Sequence, residues 1–224
     1  MDKNPLGIMA TFPTNVGLKR WPDTEDLNTK LRTSIYKRRG DDPSGMYRSN
    51  TAGTWHSDTD LLKWIGVPQL ADMFAECFRA YTTTYGVSSD AEIGLRLQAW
   101  AMLYRDGGYA TVHTHPNCHF SGVYYIDNAG EDARTMVTGA RSCPGDIEFV
   151  DTRATGGYQF PGVNFIPAFR FTPKAGDLIV FPSWLPHFVH PVVGNEDRMC
   201  ISCNATIVKH TPPPQKETSN DSDK

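Results

Sequence analysis

A succession of short apolar segments, each bounded by turn residues, fills the chain from residue 94 to residue 207. The segments are rich in β-branched and aromatic residues, which is typical of strands. Turn signals such as PKAG at residues 173–176 separate them, and RDGG at residues 105–108 is expected to turn the chain. Many short strands at this spacing favour a sandwich or an open barrel. The predicted strands are residues 94–104, 109–115, 120–126, 146–150, 168–172, 177–181, 187–193 and 199–207.

The part of the chain before these strands, residues 1–92, is expected to be helical in places. Asp58 or Thr59 is a candidate cap for a short helix through residue 65, and apolar residues at helical spacing predict a second helix over residues 68–85. Helices packed on one face of a sheet give an α+β fold. We expect one domain over residues 1–207, and a disordered tail over residues 208–224, where a run of prolines is combined with polar and charged residues.

Composition excludes several classes of function. The 224 residues carry a net charge of −3, so nothing indicates nucleic acid or a membrane surface as a partner. No apolar run reaches the length of a membrane span, and the N-terminus lacks the features of a signal peptide. The five cysteines are few, odd in number and scattered, which predicts free thiols and a cytoplasmic location. Cys200 and Cys203 resemble a paired motif, but strand geometry points them to opposite faces.

Three histidines and one arginine form the most informative chemical pattern. His113 and His115 lie two residues apart on a predicted strand, so their side chains share one face. His187 opens a later strand, and Arg198 follows it by eleven residues. Imidazole suits iron, zinc, copper or nickel, and geometry selects among them. The pattern predicts a metal site formed by His113, His115 and His187.

The same segments resemble a known family. YRDGGY at residues 104–109, followed by HTH at residues 113–115, resembles the 2-oxoglutarate/Fe(II)-dependent dioxygenases, particularly the prolyl-hydroxylase-like members. SGVYYID and PKAGDLIVFPSWLPHFVHPVVGNEDR resemble further segments of that family. Together with RSNTAGTWHS, the motifs look closest to a group of 2-oxoglutarate oxygenases with no assigned substrate.

The resemblance implies a double-stranded β-helix (jelly-roll, cupin-like) core with N-terminal helices packed on one sheet. It implies that His113 and His187 bind Fe(II), and that Arg198 binds the 5-carboxylate of 2-oxoglutarate. Tyr125 matches a tyrosine that binds the same carboxylate, and Tyr104 matches one near the 1-carboxylate. The implied reaction uses O2 and hydroxylates an unidentified substrate while 2-oxoglutarate becomes succinate and CO2.

One position departs from the family pattern, because His115 occupies the place usually held by Asp or Glu. A neutral histidine leaves the site more positive and must stay deprotonated to bind a metal. Three interpretations follow: an iron site of three histidines, a site in which a carboxylate such as Asp151 replaces His115, or a site with altered metal preference or no turnover. Halogenases of this superfamily have a small residue here, so His115 argues against halogenation.

Two other classes of protein compete with this interpretation. One is a three-histidine cupin-type dioxygenase that acts without 2-oxoglutarate, and the other is a non-catalytic β-helix binding module. Four residues are candidates for the substrate side of the site, namely His119, Asp151, Arg153 and Trp184. Isolated histidines such as His119, His56 and His190 are more typical of exposed loops. The loops at residues 127–145 and 152–167 are expected to shape the mouth for a small-molecule or peptide-like substrate.

Overall fold

A computed structural model describes residues 13–127, 144–152, 159–160, 163–164, 168–194 and 197–213. The helices are α1 (Glu25–Asp41), α2 (Leu61–Trp64) and α3 (Gln69–Thr82), and a 3-10 helix (Thr83–Tyr85) extends α3. The strands are β1 (Gly17–Arg20), β2 (Thr51–His56), β3 (Glu92–His113), β4 (Phe120–Tyr125), β5 (Ile147–Val150), β6 (Gln159–Phe160), β7 (Val163–Asn164), β8 (Ala168–Phe171), β9 (Asp177–Pro182), β10 (His187–Val189) and β11 (Arg198–Thr211).

The long strand β3 connects the two halves of the sheet. Along one side it pairs first with β11 and then with β10, which gives the order β1-β9-β4-β11-β3-β10-β5-β8. The pairings are antiparallel, and β2 lies along the opposite side of β3. Apolar residues from both halves form one buried cluster, so the halves face each other. This arrangement confirms the predicted α+β fold with a double-stranded β-helix core.

Strict alternation along the strands separates an inner core from an outer core. On β3, Trp100, Met102 and Tyr104 face the inner cluster, whereas the residues between them face the helices. The outer cluster packs against the apolar stripe of α3, as the helical spacing predicted. Cys200 lies in the inner cluster and Cys203 in the outer one, so the two thiols do point to opposite faces.

Residues 105–108 do not reverse the chain, so the predicted turn is wrong. They form a bulge in β3, because Ala52 pairs with Tyr109 while Thr54 pairs with Tyr104. Gly107 has a φ of +73°, which favours glycine, and its N–H donates to the Val192 carbonyl at 2.7 Å. Backbone bonds to the segment after β10 therefore keep the chain extended where its composition indicated a turn.

Other boundaries also differ from those predicted. The first ninety residues contain β1 and β2 as well as helices, and α1 was not predicted. Strand β11 continues to Thr211 opposite Glu92, so a disordered tail beginning at residue 208 is wrong for residues 208–211. Residues 214–224 lie outside the described part. Among the described residues, no helix is long and apolar enough to cross a membrane.

Candidate metal centre

Strand pairing brings the three predicted histidines together. His113 is the last residue of β3 and His187 is the first of β10, and the two are partners in the antiparallel register. His115 lies beyond the end of β3, contrary to the predicted strand through residue 115. Its backbone N–H donates to the Ser183 carbonyl at 2.9 Å, which ties it to the end of β9. Each histidine is therefore fixed by a different strand end at one edge of the inner core.

The three imidazole rings converge on one point. Ring centroids are 4.3 Å apart for His113 and His187, 5.1 Å for His115 and His187, and 5.2 Å for His113 and His115. The Nε2 atoms of His115 and His187 are 3.2 Å apart. One nitrogen from each residue lies within 4.8 Å of the others, and no carboxylate among the described residues joins this group. Asp151, the predicted substitute ligand, is thus outside it.

Hydrogen bonds fix which nitrogen of the His113 and His187 rings is free. Nδ1 of His113 lies 2.7 Å from the Thr111 carbonyl, and Nδ1 of His187 lies 2.9 Å from the Leu185 carbonyl. Because a carbonyl only accepts, both Nδ1 atoms carry the proton and both Nε2 atoms present a lone pair. Backbone carbonyls of this kind orient metal-binding histidines in proteins. The donor set therefore fits a transition-metal ion.

Burial keeps all three imidazoles neutral. Desolvation lowers the pKa of His113, and together with the nearby His113 it lowers the pKa of His115 to about 3. The pKa of His187 is well below its ordinary value, first because of burial and then because of the other two histidines. Since only the neutral imidazole binds a metal, protonation does not compete with metal binding near neutral pH.

Packing against the Trp100 ring, rather than a hydrogen bond to Nδ1, positions the His115 side chain. Among the described residues, Nδ1 of His115 has no hydrogen-bond partner. Its ring instead lies against Trp100, with centroids 5.7 Å apart and planes 28° apart. The histidine in the usual carboxylate position is therefore positioned by ring packing, whereas the other two are positioned by carbonyl groups.

Arg198 lies in the same cavity and is 1% exposed. Its guanidinium carbon is 4.9 Å from the ring centre of Tyr104 and 5.1 Å from that of Tyr125. Among the described residues its polar contact is the Cys200 sulfur at 3.7 Å, and no described carboxylate pairs with it. The buried Tyr125 hydroxyl also lacks a partner in the described structure. A buried, unpaired guanidinium is costly, so this end of the cavity is suited to an anion.

The cavity that contains these groups has a volume of about 280 Å³. Its lining includes the three histidines, Arg198, Tyr104 and Tyr125, and no Asp or Glu among the described residues. On the β2 side of β3 it is lined by Arg48 and His56. The cavity therefore combines a cluster of neutral metal-binding nitrogens with two cationic side chains.

Residues 98–204 match the model of a family described as "Putative 2OG-Fe(II) oxygenase". The match spans the three histidines, Arg198 and both tyrosines. Over these residues the chain is similar to the 2-oxoglutarate/Fe(II) oxygenases. No curated protein matches the sequence.

Solved structures share the oxygenase fold at low identity. A Pseudomonas putida prolyl-4-hydroxylase is 14% identical with a TM-score of 0.57, over 88% of this chain and 94% of that one. HygX from Streptomyces hygroscopicus, solved with nickel and 2-oxoglutarate bound, is 10% identical with a TM-score of 0.57, over 87% and 84%. The carbocyclase SnoK of nogalamycin biosynthesis is 11% identical with a TM-score of 0.60, over 92% and 85%.

Three of the four predicted substrate-side residues do not line the cavity. The His119 ring accepts the backbone N–H of Ile207 at 3.1 Å, on the β11 side of the sheet. Trp184 is 57% exposed, and neither it nor the half-buried Asp151 is among the residues that line the cavity. Arg153 lies outside the described residues.

The sequence interpretation missed His56 as a lining residue of the cavity. His56 was expected to be an exposed loop histidine, but it is 5% exposed at the end of β2. Its ring is stacked on Trp100, with centroids 5.6 Å apart and planes 12° apart. Its Nδ1 lies 2.6 Å from the Ser57 carbonyl. A strand assignment for residues 51–56 would have indicated its direction, but that segment contains only one large apolar residue.

Proposed function

We propose that this oxygenase is a hydroxylase that binds Fe(II) through His113, His115 and His187 and consumes 2-oxoglutarate. The observation that carries the proposal is the buried Arg198, which lacks a carboxylate partner among the described residues and shares a cavity with three converging neutral imidazoles. Those are the two kinds of group needed to bind a metal ion and a dicarboxylate side by side. The matched family is described as an Fe(II) oxygenase, which agrees with this donor set.

The co-substrate is proposed to bind with its 5-carboxylate on Arg198. A guanidinium presents two parallel N–H groups to a carboxylate, which a lysine cannot do. The Tyr125 hydroxyl, buried and without a described partner, is the natural second donor to the same carboxylate. Tyr104 also packs against the guanidinium and is proposed to border the 1-carboxylate. The crystallised HygX complex with nickel and 2-oxoglutarate is a precedent for such binding within this fold.

When bound, iron and 2-oxoglutarate supply the oxidising chemistry, in which R–H, O2 and 2-oxoglutarate give R–OH, succinate and CO2. The chain contributes orientation and exclusion of water. Carbonyls of Thr111 and Leu185 fix two imidazoles, and Trp100 fixes the third. The inner apolar cluster surrounds these groups and keeps solvent from the reacting atoms.

His115 in place of a carboxylate changes the charge of the site. With three neutral ligands, the full charge of the metal remains to be balanced by the co-substrate and by whatever binds next to it. We propose that the site works with three histidines, because Asp151 is not within the ligand group. The free state of the described cysteines Cys77, Cys118, Cys200 and Cys203 fits the proposed cytoplasmic location.

Succinate release tests the proposal. Protein loaded with Fe(II) without oxygen should bind about one iron, and oxygen with 2-oxoglutarate should then yield succinate. Turnover that makes no succinate and ignores 2-oxoglutarate would identify a three-histidine dioxygenase of the other class. Protein that neither retains iron nor binds 2-oxoglutarate would instead be a binding module.

A further inference from the structure

The cavity has a second arginine, which the co-substrate does not use. Arg48 precedes β2, on the side of β3 opposite to β11, where Arg198 lies. Its side chain is half-buried, and no carboxylate of the described residues lies within ion-pair distance of it. Asp58, an acidic residue close enough to influence His56, is paired with Arg38 at 2.6 Å. Arg48 is thus a cation with no acidic partner in the described structure.

A chain of contacts holds Arg48 in a defined position. His56 donates from Nδ1 to the Ser57 carbonyl, so its Nε2 carries a lone pair, which accepts the Arg48 Nε–H at 3.4 Å. The His56 ring is stacked on Trp100, and Trp100 is stacked on His115. The Arg48 guanidinium is therefore linked through two rings to a proposed metal ligand, and its terminal nitrogens are not engaged by a described carboxylate.

We infer that Arg48 binds the acid group of the primary substrate, which is a small organic carboxylate. This inference rests on the proposed function. With 2-oxoglutarate on Arg198 and three neutral metal ligands, the cavity keeps a surplus of positive charge, because no described Asp or Glu lines it. An anionic substrate reduces that surplus, and the guanidinium fork matches a carboxylate in shape.

The size and the other lining groups restrict the substrate further. A volume of about 280 Å³ must also hold the co-substrate, which leaves room for a small molecule or a single side chain. The cavity is also lined by neutral polar residues, among them Asn50, Thr51, Thr59, Gln98 and Thr114. They suit hydroxyl or amide groups on the body of the substrate. A carboxylate at one end and a C–H bond near the metal at the other describe a small polar acid.

Propionate serves as the minimal probe of this site, with propionamide as its uncharged match. Binding is measured by saturation-transfer NMR on protein loaded with Zn(II) and 2-oxoglutarate, so that Arg198 is already occupied. We expect saturable propionate binding, little propionamide binding, and at least about 10-fold weaker propionate binding in Arg48→Gln. Arg96→Gln removes an exposed arginine of β3 outside the cavity and should bind propionate like the wild type.

Three outcomes overturn the inference: no saturable propionate binding, equal binding of propionamide, or unchanged binding in Arg48→Gln. Inorganic phosphate is tested in parallel, and a preference for phosphate over propionate would overturn the carboxylate assignment. Binding of 2-oxoglutarate is measured first in each variant. Its failure in the wild type would refute the proposed function, whereas normal 2-oxoglutarate binding with no propionate site would refute only this inference.

Discussion

The two arginines of the cavity lie in contrasting settings. Arg198 begins β11 in the centre of the sheet, pairs in register with Tyr104, and is 1% exposed. Arg48 lies in the loop before β2 and is half-buried, and its side chain makes only two long polar contacts among the described residues, to His56 at 3.4 Å and to the Met46 sulfur at 3.9 Å. Arg198 is therefore positioned by the central strands β11 and β3, whereas Arg48 is positioned by the loop and strand at the edge of the sheet.

This contrast separates what the fold provides from what the individual chain adds. A co-substrate common to the family needs a partner fixed by central strands, where a change of position would disrupt the core. A substrate specific to one enzyme is better recognised from an edge strand and its loop, which can change without disturbing that core. The metal site lies between them, at the ends of β3 and β10.

Replacing His187 tests the proposed metal site, on which the Arg198 end and the Arg48 end of the cavity both depend. This change should have the largest effect on function. His187→Ala is expected to abolish Fe(II) binding, because His187 is buried, oriented by the Leu185 carbonyl, and one of only three proposed ligands. Metal content after anaerobic loading is the measurement. His119→Ala is the matched control and should load normally, since His119 is bonded to Ile207 away from the cavity. A full equivalent of iron in His187→Ala would refute the site.

Arg198→Ala should impair binding only at the Arg198 end of the cavity, where 2-oxoglutarate is proposed to bind. The Kd for 2-oxoglutarate is expected to rise about 100-fold or more, because a bidentate charged pair is lost, while iron remains bound. The metal-free variant should unfold at a temperature no lower than the wild type, since the arginine lacks a described carboxylate partner. Titration calorimetry and thermal unfolding measure the two effects. An unchanged requirement for 2-oxoglutarate would refute the role of Arg198.

Replacing His115 should have a smaller effect, which tests directly whether the metal site consists of three histidines. It is held by packing on Trp100 and by no described Nδ1 bond, so His115→Ala should weaken Fe(II) binding by about 10-fold to 100-fold without abolishing it. His115→Asp restores the usual carboxylate and should retain iron. If His115→Ala keeps the affinity of the wild type, the third ligand comes from elsewhere and the three-histidine site is wrong.

The central end of the cavity could be predicted from sequence because its signals are local. His113 and His115 lie two residues apart at the end of an alternating segment, and Arg198 directly precedes a long apolar one. The same alternation indicated which way Cys200 and Cys203 face. The prediction failed at RDGG, because backbone bonds from Gly107 and Gly108 to Val192 keep the chain extended. Those bonds join segments more than eighty residues apart and leave no local pattern.

The β2 side of the cavity could not be predicted, because its structure also depends on contacts between distant segments. His56 is buried only because β2 pairs with β3 opposite Met102, and TAGTWH contains too few apolar residues to indicate a strand. Helix α1 was missed because it buries only Asn28, Leu31 and Ile35 among many charged residues. Tertiary pairing rather than propensity determines both elements.

The smallest effect concerns the pH dependence of stability at the Arg48 end. Burial first, and then the nearby Arg48, lower the pKa of His56 to about 4, whereas an unfolded histidine titrates near 6.5. Between these values the unfolded state binds more protons, so stability falls as the pH decreases from about 6.5 towards 4 and is constant above that window. His56 alone should account for up to about 3 kcal/mol of this loss.

His56→Phe keeps an aromatic ring against Trp100 but removes the titration, so its unfolding free energy should fall less between pH 7.5 and pH 4.5. Urea unfolding of metal-free protein at both values measures this difference. The other buried histidines contribute equally to both proteins, so the comparison isolates His56. His210→Phe changes an exposed histidine of β11 and should retain the full dependence. An equal loss in wild type and His56→Phe would show that solvent reaches the ring, and the edge of the cavity would then be less enclosed than the contacts of His56 imply.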